Sequence, residues 1–128
     1  MKRHVALQDL SREHHHALKL ALDCRRAAAA QDAAQQNAMI AACSARFASE
    51  LEPHFQIEER DLLPRLAAAG ETALVERTLA EHAAIRKLAA ALPQRGAGGL
   101  EEFAVLMNAH VRFEERQLFA ALEKLLPA

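Results

Sequence analysis

At 128 residues the chain can bury a hydrophobic core without disulfides or a second folding unit, so a single domain over 1–128 is expected. Its 17 acidic and 16 basic residues leave a net charge of −1, which points to neither a nucleic-acid groove nor an anionic membrane surface as partner. Met1 to Leu10 lack the apolar run of a secretory signal and no stretch is apolar for long enough to span a bilayer, which predicts a cytoplasmic protein.

Alanine, leucine, glutamate, glutamine and arginine dominate while tryptophan and tyrosine are absent, a vocabulary of helices. Apolar residues recur at helical spacing over 7–30, 34–67, 71–92 and 100–125, and no segment alternates as a strand would. The first break, near Gln31 and Asp32, is weakly marked. Gly70 ends the second segment as a C-terminal cap would, and Pro93 with Gly96, Gly98 and Gly99 ends the third. Four helices with short connections make antiparallel neighbours, so the predicted fold is all-α, an antiparallel up-down four-helix bundle.

Pro53 and Pro64 fall inside the second segment, where each removes a backbone hydrogen bond and crowds the preceding turn. The apolar register Phe47, Leu51, Leu62, Leu66 continues through both, which predicts one kinked helix rather than two short ones. Cys24 and Cys43 are too few and too isolated for a disulfide framework or a thiolate zinc site, and buried, reduced thiols are expected.

An internal repeat relates the halves. His54-Phe-Gln-Ile-Glu58-Glu59-Arg60 aligns with His110-Val-Arg-Phe-Glu114-Glu115-Arg116, and Glu13-His14 aligns more weakly with Glu81-His82, so helices 1 and 2 resemble helices 3 and 4. Such a repeat predicts approximate two-fold symmetry about whatever lies at the centre of the bundle.

The core-facing stripe of helix 4 runs Phe103, Met107, His110, Glu114, Leu118, Leu122, Leu125, and that of helix 2 runs Phe47, Leu51, His54, Glu58, Leu62, Leu66. Each therefore presents a histidine and, one turn later on the same face, a carboxylate. Helix 3, with Val75, Thr78, His82, Ile85, Ala89 and Leu92, contributes a histidine alone. In helix 1 the consecutive His14, His15 and His16 compete for the stripe set by Leu7, Leu10, Leu18 and Ala21. At about 100° per residue His14 falls nearest its centre, with His15 in reserve, and His16 and His4 are expected in solvent.

A carboxylate in a bundle core must be protonated, hydrogen-bonded, ion-paired or bound to metal. A single core histidine is more often satisfied by a backbone carbonyl, and paired glutamates more often lie on wet faces. Four histidines on four successive helices, two of them with glutamate at i+4 inside an apolar register, favour metal over that ordinary reading. Imidazole with carboxylate suits iron, manganese, zinc or copper, and facing bundle helices are an established place for a two-metal carboxylate site. Glu59, Glu115, Arg60 and Arg116 are assigned to the surroundings of the site or to the surface. A ferritin-like oxidase needs Glu-x-x-His on two helices, whereas Glu13 to His16 is the one instance in the sequence.

These residues resemble the hemerythrin-like, HHE cation-binding family, and the resemblance covers essentially the whole chain. Its most specific parts are His54-Phe-Gln-Ile-Glu58-Glu59 followed by Leu62-Leu63-Pro64, and His110-Val-Arg-Phe-Glu114-Glu115 followed by Leu118-Phe119. The resemblance implies His14, His54, His82 and His110 as terminal ligands and Glu58 and Glu114 as bridges between two iron ions, joined further by an oxo or hydroxo group, with zinc or manganese as alternatives. Oxygen-carrying members have a further histidine one turn before the helix-3 ligand. Here that residue is Thr78, and the helix-4 motif is His-x-x-x-Glu rather than His-x-x-x-x-Asp, which argues against reversible oxygen carriage. The expected function is to bind or sense O2, NO or iron. An enzyme for peroxide handling or iron-sulfur repair is the alternative, and a metal-free interaction bundle the third reading. Expected partners are a small ligand at the metal, with no nucleic acid and no membrane, and a homodimer is allowed for.

Overall fold

The computed structural model describes residues 3–127 and, among them, contains helices and no strands. Helix α1 is Val5–Ala29. Helix α2 runs over 33–68 without interruption, as Ala33–Arg46, Phe47–Leu51, Glu52–Ile57, Glu58–Leu62 and Leu63–Ala68 in turn. The following stretch, Thr72–Phe113, is helical throughout except at Gly96, whose φ of 61° and ψ of −143° only glycine adopts readily. The chain reverses there, so we divide it into α3 (72–95) and α4 (97–125), the latter continuing through Glu114–Leu118 and Phe119–Leu125.

Contacts fix the antiparallel order. Glu81 reaches His110 at 2.6 Å and Arg77 lies 4.0 Å over the Phe113 ring, while near the reversal Arg95 meets Glu102. Between α1 and α2, Gln36 donates to the Ala28 carbonyl at one end and Glu13 meets His54 further along. Between α1 and α4, Arg25 faces Glu101 and Ser11 donates to Glu115.

The connections follow local chemistry. Asp32 accepts a hydrogen bond from the Gln35 amide at 3.0 Å, an N-cap preceded by Gln31 at φ 53°. Gly70, at φ 83°, closes α2, and the Glu71 amide reaches back to the Leu66 carbonyl at 2.9 Å as in a Schellman motif. His4, expected in solvent, instead caps α1 by accepting from the Ala6 amide at 3.0 Å, and its other ring nitrogen lies 2.6 Å from the Pro127 carbonyl oxygen.

The linker expected over Pro93 to Gly99 contracts to Gly96. Pro93 lies exposed within the last turns of α3, and Gly98 and Gly99 belong to the first turn of α4. A Cβ on Gly99 would lie 2.5 Å from the Arg95 Cβ and 3.2 Å from Leu92 Cδ2, so this tight hairpin requires a glycine there.

Around Pro53 and Pro64 the helix widens. The Glu52 amide bonds to the Phe47 carbonyl and the Leu63 amide to the Glu58 carbonyl, each a π-type turn immediately before a proline. The same widening occurs at Glu114–Leu118, where no proline follows, so at the repeat-related positions it belongs to the internal symmetry rather than to proline alone.

Two apolar clusters fill the bundle. One gathers Leu20, Phe55, Leu92, Leu100, Phe103 and Met107, the other Leu7, Leu66, Leu118, Phe119 and Leu122. Leu125, expected in the core stripe, is 43 % exposed, and the adjacent Leu126 packs against the second cluster instead. Cys24 and Cys43 are both fully buried and unbridged. No helix among the described residues is long and apolar enough to cross a membrane.

Candidate metal centre

Between the two apolar clusters lies a layer of buried polar side chains, His14 from α1, His54 and Glu58 from α2, His82 from α3, and His110 and Glu114 from α4. All six candidates read from the sequence are therefore in one place. His14 is the member of its triplet that points inward, and His15 and His16 are exposed.

Six contacts define the arrangement. Glu114 Oε1 is 2.8 Å from His14 Nε2 and 3.8 Å from His54 Nε2, while its Oε2 is 3.0 Å from His110 Nε2 and 3.5 Å from His82 Nε2. Glu58 is placed likewise, with Oε2 at 3.1 Å from His54 Nε2 and Oε1 at 3.0 Å from His82 Nε2. Each carboxylate thus offers one oxygen to each histidine pair. Two groups result, His14, His54, Glu58, Glu114 and His82, His110, Glu58, Glu114, each with ligand atoms within 4.8 Å of one another and able to hold a metal ion.

A polar cluster satisfied by its own hydrogen bonds would leave no role for a cation. Here Glu58 Oε1, His82 Nε2, His110 Nε2 and Glu114 Oε2 are all buried, and although His82 meets Glu58 and His110 meets Glu114 at 3.0 Å, none of the four atoms makes a hydrogen bond of good geometry. Orphaned atoms of this kind are costly, and four of them in one His/His/Glu/Glu group form a donor set that fits a cation. Nitrogen and oxygen donors together suit a first-row transition metal.

Each histidine is held from behind by a carboxylate on its Nδ1. The pairs are His14 with Glu115 at 2.6 Å, His54 with Glu13 at 2.9 Å, His82 with Glu59 at 2.7 Å and His110 with Glu81 at 2.6 Å. This set obeys the internal repeat throughout, since Glu13 corresponds to Glu81 and Glu59 to Glu115. Outer carboxylates of this kind fix the ring orientation and leave Nε2 for the centre. Three are themselves tied to arginine, Glu59 to Arg86, Glu115 to Arg3 and Glu81 to Arg77. Glu59 and Glu115, expected in the surroundings of the site or at the surface, thus reach its histidines, as do Glu13 and Glu81, for which the repeat that aligns Glu13-His14 with Glu81-His82 is the signal in the sequence. Arg60 and Arg116 are exposed.

Aromatic rings complete the setting. Phe55 stacks on His82 at 3.9 Å and Phe119 on His14 at 5.2 Å, each tilted by 11°. Thr78 is fully buried and donates its hydroxyl to the Leu74 carbonyl at 2.7 Å, so the turn before His82 adds no nitrogen donor.

Without a cation, charge is balanced by protons. Burial opposes the charged imidazoles, but the surrounding carboxylates outweigh it. Glu114 and Glu58 raise His54 to about 11 and His82 to about 9. Glu114 and Glu81 raise His110 to about 10, and Glu114 and Glu115 raise His14. Glu114 is held well below the usual carboxylate range, its burial overcome by His110, His14 and His54, whereas burial and the Glu114 charge push Glu58 up.

A cavity of about 10 Å³, room for about one water-sized molecule, abuts this layer. His14, His54, His110 and Glu114 form its polar side, and Leu51, Phe55, Met107 and Val111 its apolar side.

Compared with known proteins, residues 5–122 match the family model described as the hemerythrin HHE cation binding domain. No curated protein and no solved structure is significantly similar to the chain.

Proposed function

We propose that this chain, which belongs to the hemerythrin HHE cation-binding domain family, holds two iron ions and binds or senses a small ligand such as O2 or NO. The observation that carries the reading is the placement of Glu58 and Glu114, each with one oxygen toward the His14/His54 pair and the other toward the His82/His110 pair. His14 and His54 would hold one ion, His82 and His110 the second, and the two glutamates would serve both. When bound, iron supplies redox chemistry and coordination positions for a ligand that the protein does not fill.

The chain's own side chains set the conditions. Glu13, Glu59, Glu81 and Glu115 accept the Nδ1 proton of the four histidines and so keep Nε2 free as a donor atom toward the centre. Phe55 and Phe119 hold two of the rings in plane by stacking. Phe55, Met107 and Val111 line the apolar side of the inner cavity, whose size supports a diatomic ligand over an organic substrate. The two buried, unbridged thiols support a cytoplasmic setting as part of the same proposal.

Titration of the anaerobic, ferrous-loaded protein with NO tests the reading. A saturable absorbance change is expected, and it should be lost in Glu58→Ala. A wild type that retains two irons per chain yet responds to neither NO nor O2 would overturn it.

A further inference from the structure

The four corners of the site are alike in chemistry but not in enclosure. On the α1/α2 face an outer cavity of about 310 Å³ shares Glu13, Ala17, Leu51 and His54 with the inner cavity beside the histidines, so these four residues form a common wall one side chain thick. The corner related by the internal repeat carries Glu81, Ile85, Met107 and His110. A depression of about 340 Å³ lies there too, but His110 is the single residue it shares with the inner cavity. The larger Ile85, 1 % exposed, stands where the other half has Ala17, 3 % exposed.

The outer carboxylates differ in the same sense. Glu81, Glu59 and Glu115 are each anchored by an arginine, whereas among the described residues no lysine or arginine pairs with Glu13, whose side chain is 45 % exposed. Leu51, another of the wall residues, ends the wide turn Phe47–Leu51, just ahead of Pro53. The thinnest wall and the least anchored carboxylate therefore coincide at one corner.

We propose that small uncharged ligands reach the site through this corner, from the outer cavity across the wall at Ala17 and Leu51, while Ile85 closes the equivalent path in the other half. The inference rests on the reading that the site takes a small ligand, and it names the side by which that ligand arrives. A wall residue sets the height of the barrier to passage, so rates of association and release change in the same direction.

The test transplants the closed corner onto the open one. In the ferrous-loaded protein, Ala17→Ile should slow NO association and dissociation alike by about tenfold, with iron content unchanged, and Leu51→Ala should speed both. Unchanged rates in both variants overturn the proposal. If the wild type takes up no NO, the functional reading fails, and the route is then judged in metal-free protein by the relaxation that dissolved O2 under pressure induces in the Met107 methyl group. That relaxation should fall in Ala17→Ile, and an unchanged value would overturn the route.

Discussion

Glu59, on α2, holds Nδ1 of His82, on α3, at 2.7 Å, while the neighbouring Glu58 places Oε1 3.0 Å from the other nitrogen of the same ring. One wide turn of α2 thus orients the histidine from behind and faces it from the front. Arg86 fixes Glu59 in turn through a contact of 2.7 Å. Removing the outer carboxylate leaves every candidate ligand in place but lets the ring rotate, so Glu59→Ala should weaken metal affinity by about 10- to 100-fold without unfolding the protein. Competition with a chelator of known affinity measures this, and an affinity equal to wild type would show that the contact does not position the ring.

Sharing of the glutamates predicts unequal losses. Glu114 serves both histidine pairs, and His110 lies in one of the two groups. Glu114→Ala should therefore leave less than one metal per chain, whereas His110→Ala should retain about one. Metal analysis after reconstitution and desalting decides it, and equal losses in the two variants would speak against a shared carboxylate.

In the metal-free protein His82, His110 and His54 are raised to about 9, 10 and 11 by the carboxylates around them. Their contribution to stability is fully present below the unfolded histidine value, about 6.5, and is lost as pH rises through the folded values. Glu114, held low, acts oppositely and its contribution is lost only in acid. The melting temperature of metal-free protein should accordingly fall between pH 7 and the range of those folded values, while that of metal-loaded protein, whose imidazoles are already neutral, should not follow it. Parallel melting curves with and without metal would contradict the assignment.

Much of the site was legible because its inner residues lie on apolar stripes, where a histidine or glutamate stands out against leucine and phenylalanine. The repeat reinforced them by giving His54 and Glu58 the partners His110 and Glu114. Glu13 and Glu81 were harder to see, since each precedes an inward histidine by one residue and so sits about 100° round its helix on a half-buried flank. A glutamate on a flank looks like any surface charge until the neighbouring helix brings a histidine to it. The wide turns at Glu58 and Glu114 were hidden for a related reason, because one extra residue per turn barely disturbs an apolar register of threes and fours. At Pro93 the punctuation overstated the break. Proline and three glycines read as a loop, yet the reversal needs an unusual conformation at Gly96 alone, and Gly99 serves close packing inside a helix.

Whether the two histidine pairs hold a pair of iron ions is tested by the iron content and absorption spectrum of protein reconstituted anaerobically with ferrous iron and then exposed to air. Two irons per chain, with near-ultraviolet charge-transfer bands that disappear in Glu58→Ala, are the predicted result. Iron well below two per chain, or retention of zinc alone, would contradict it.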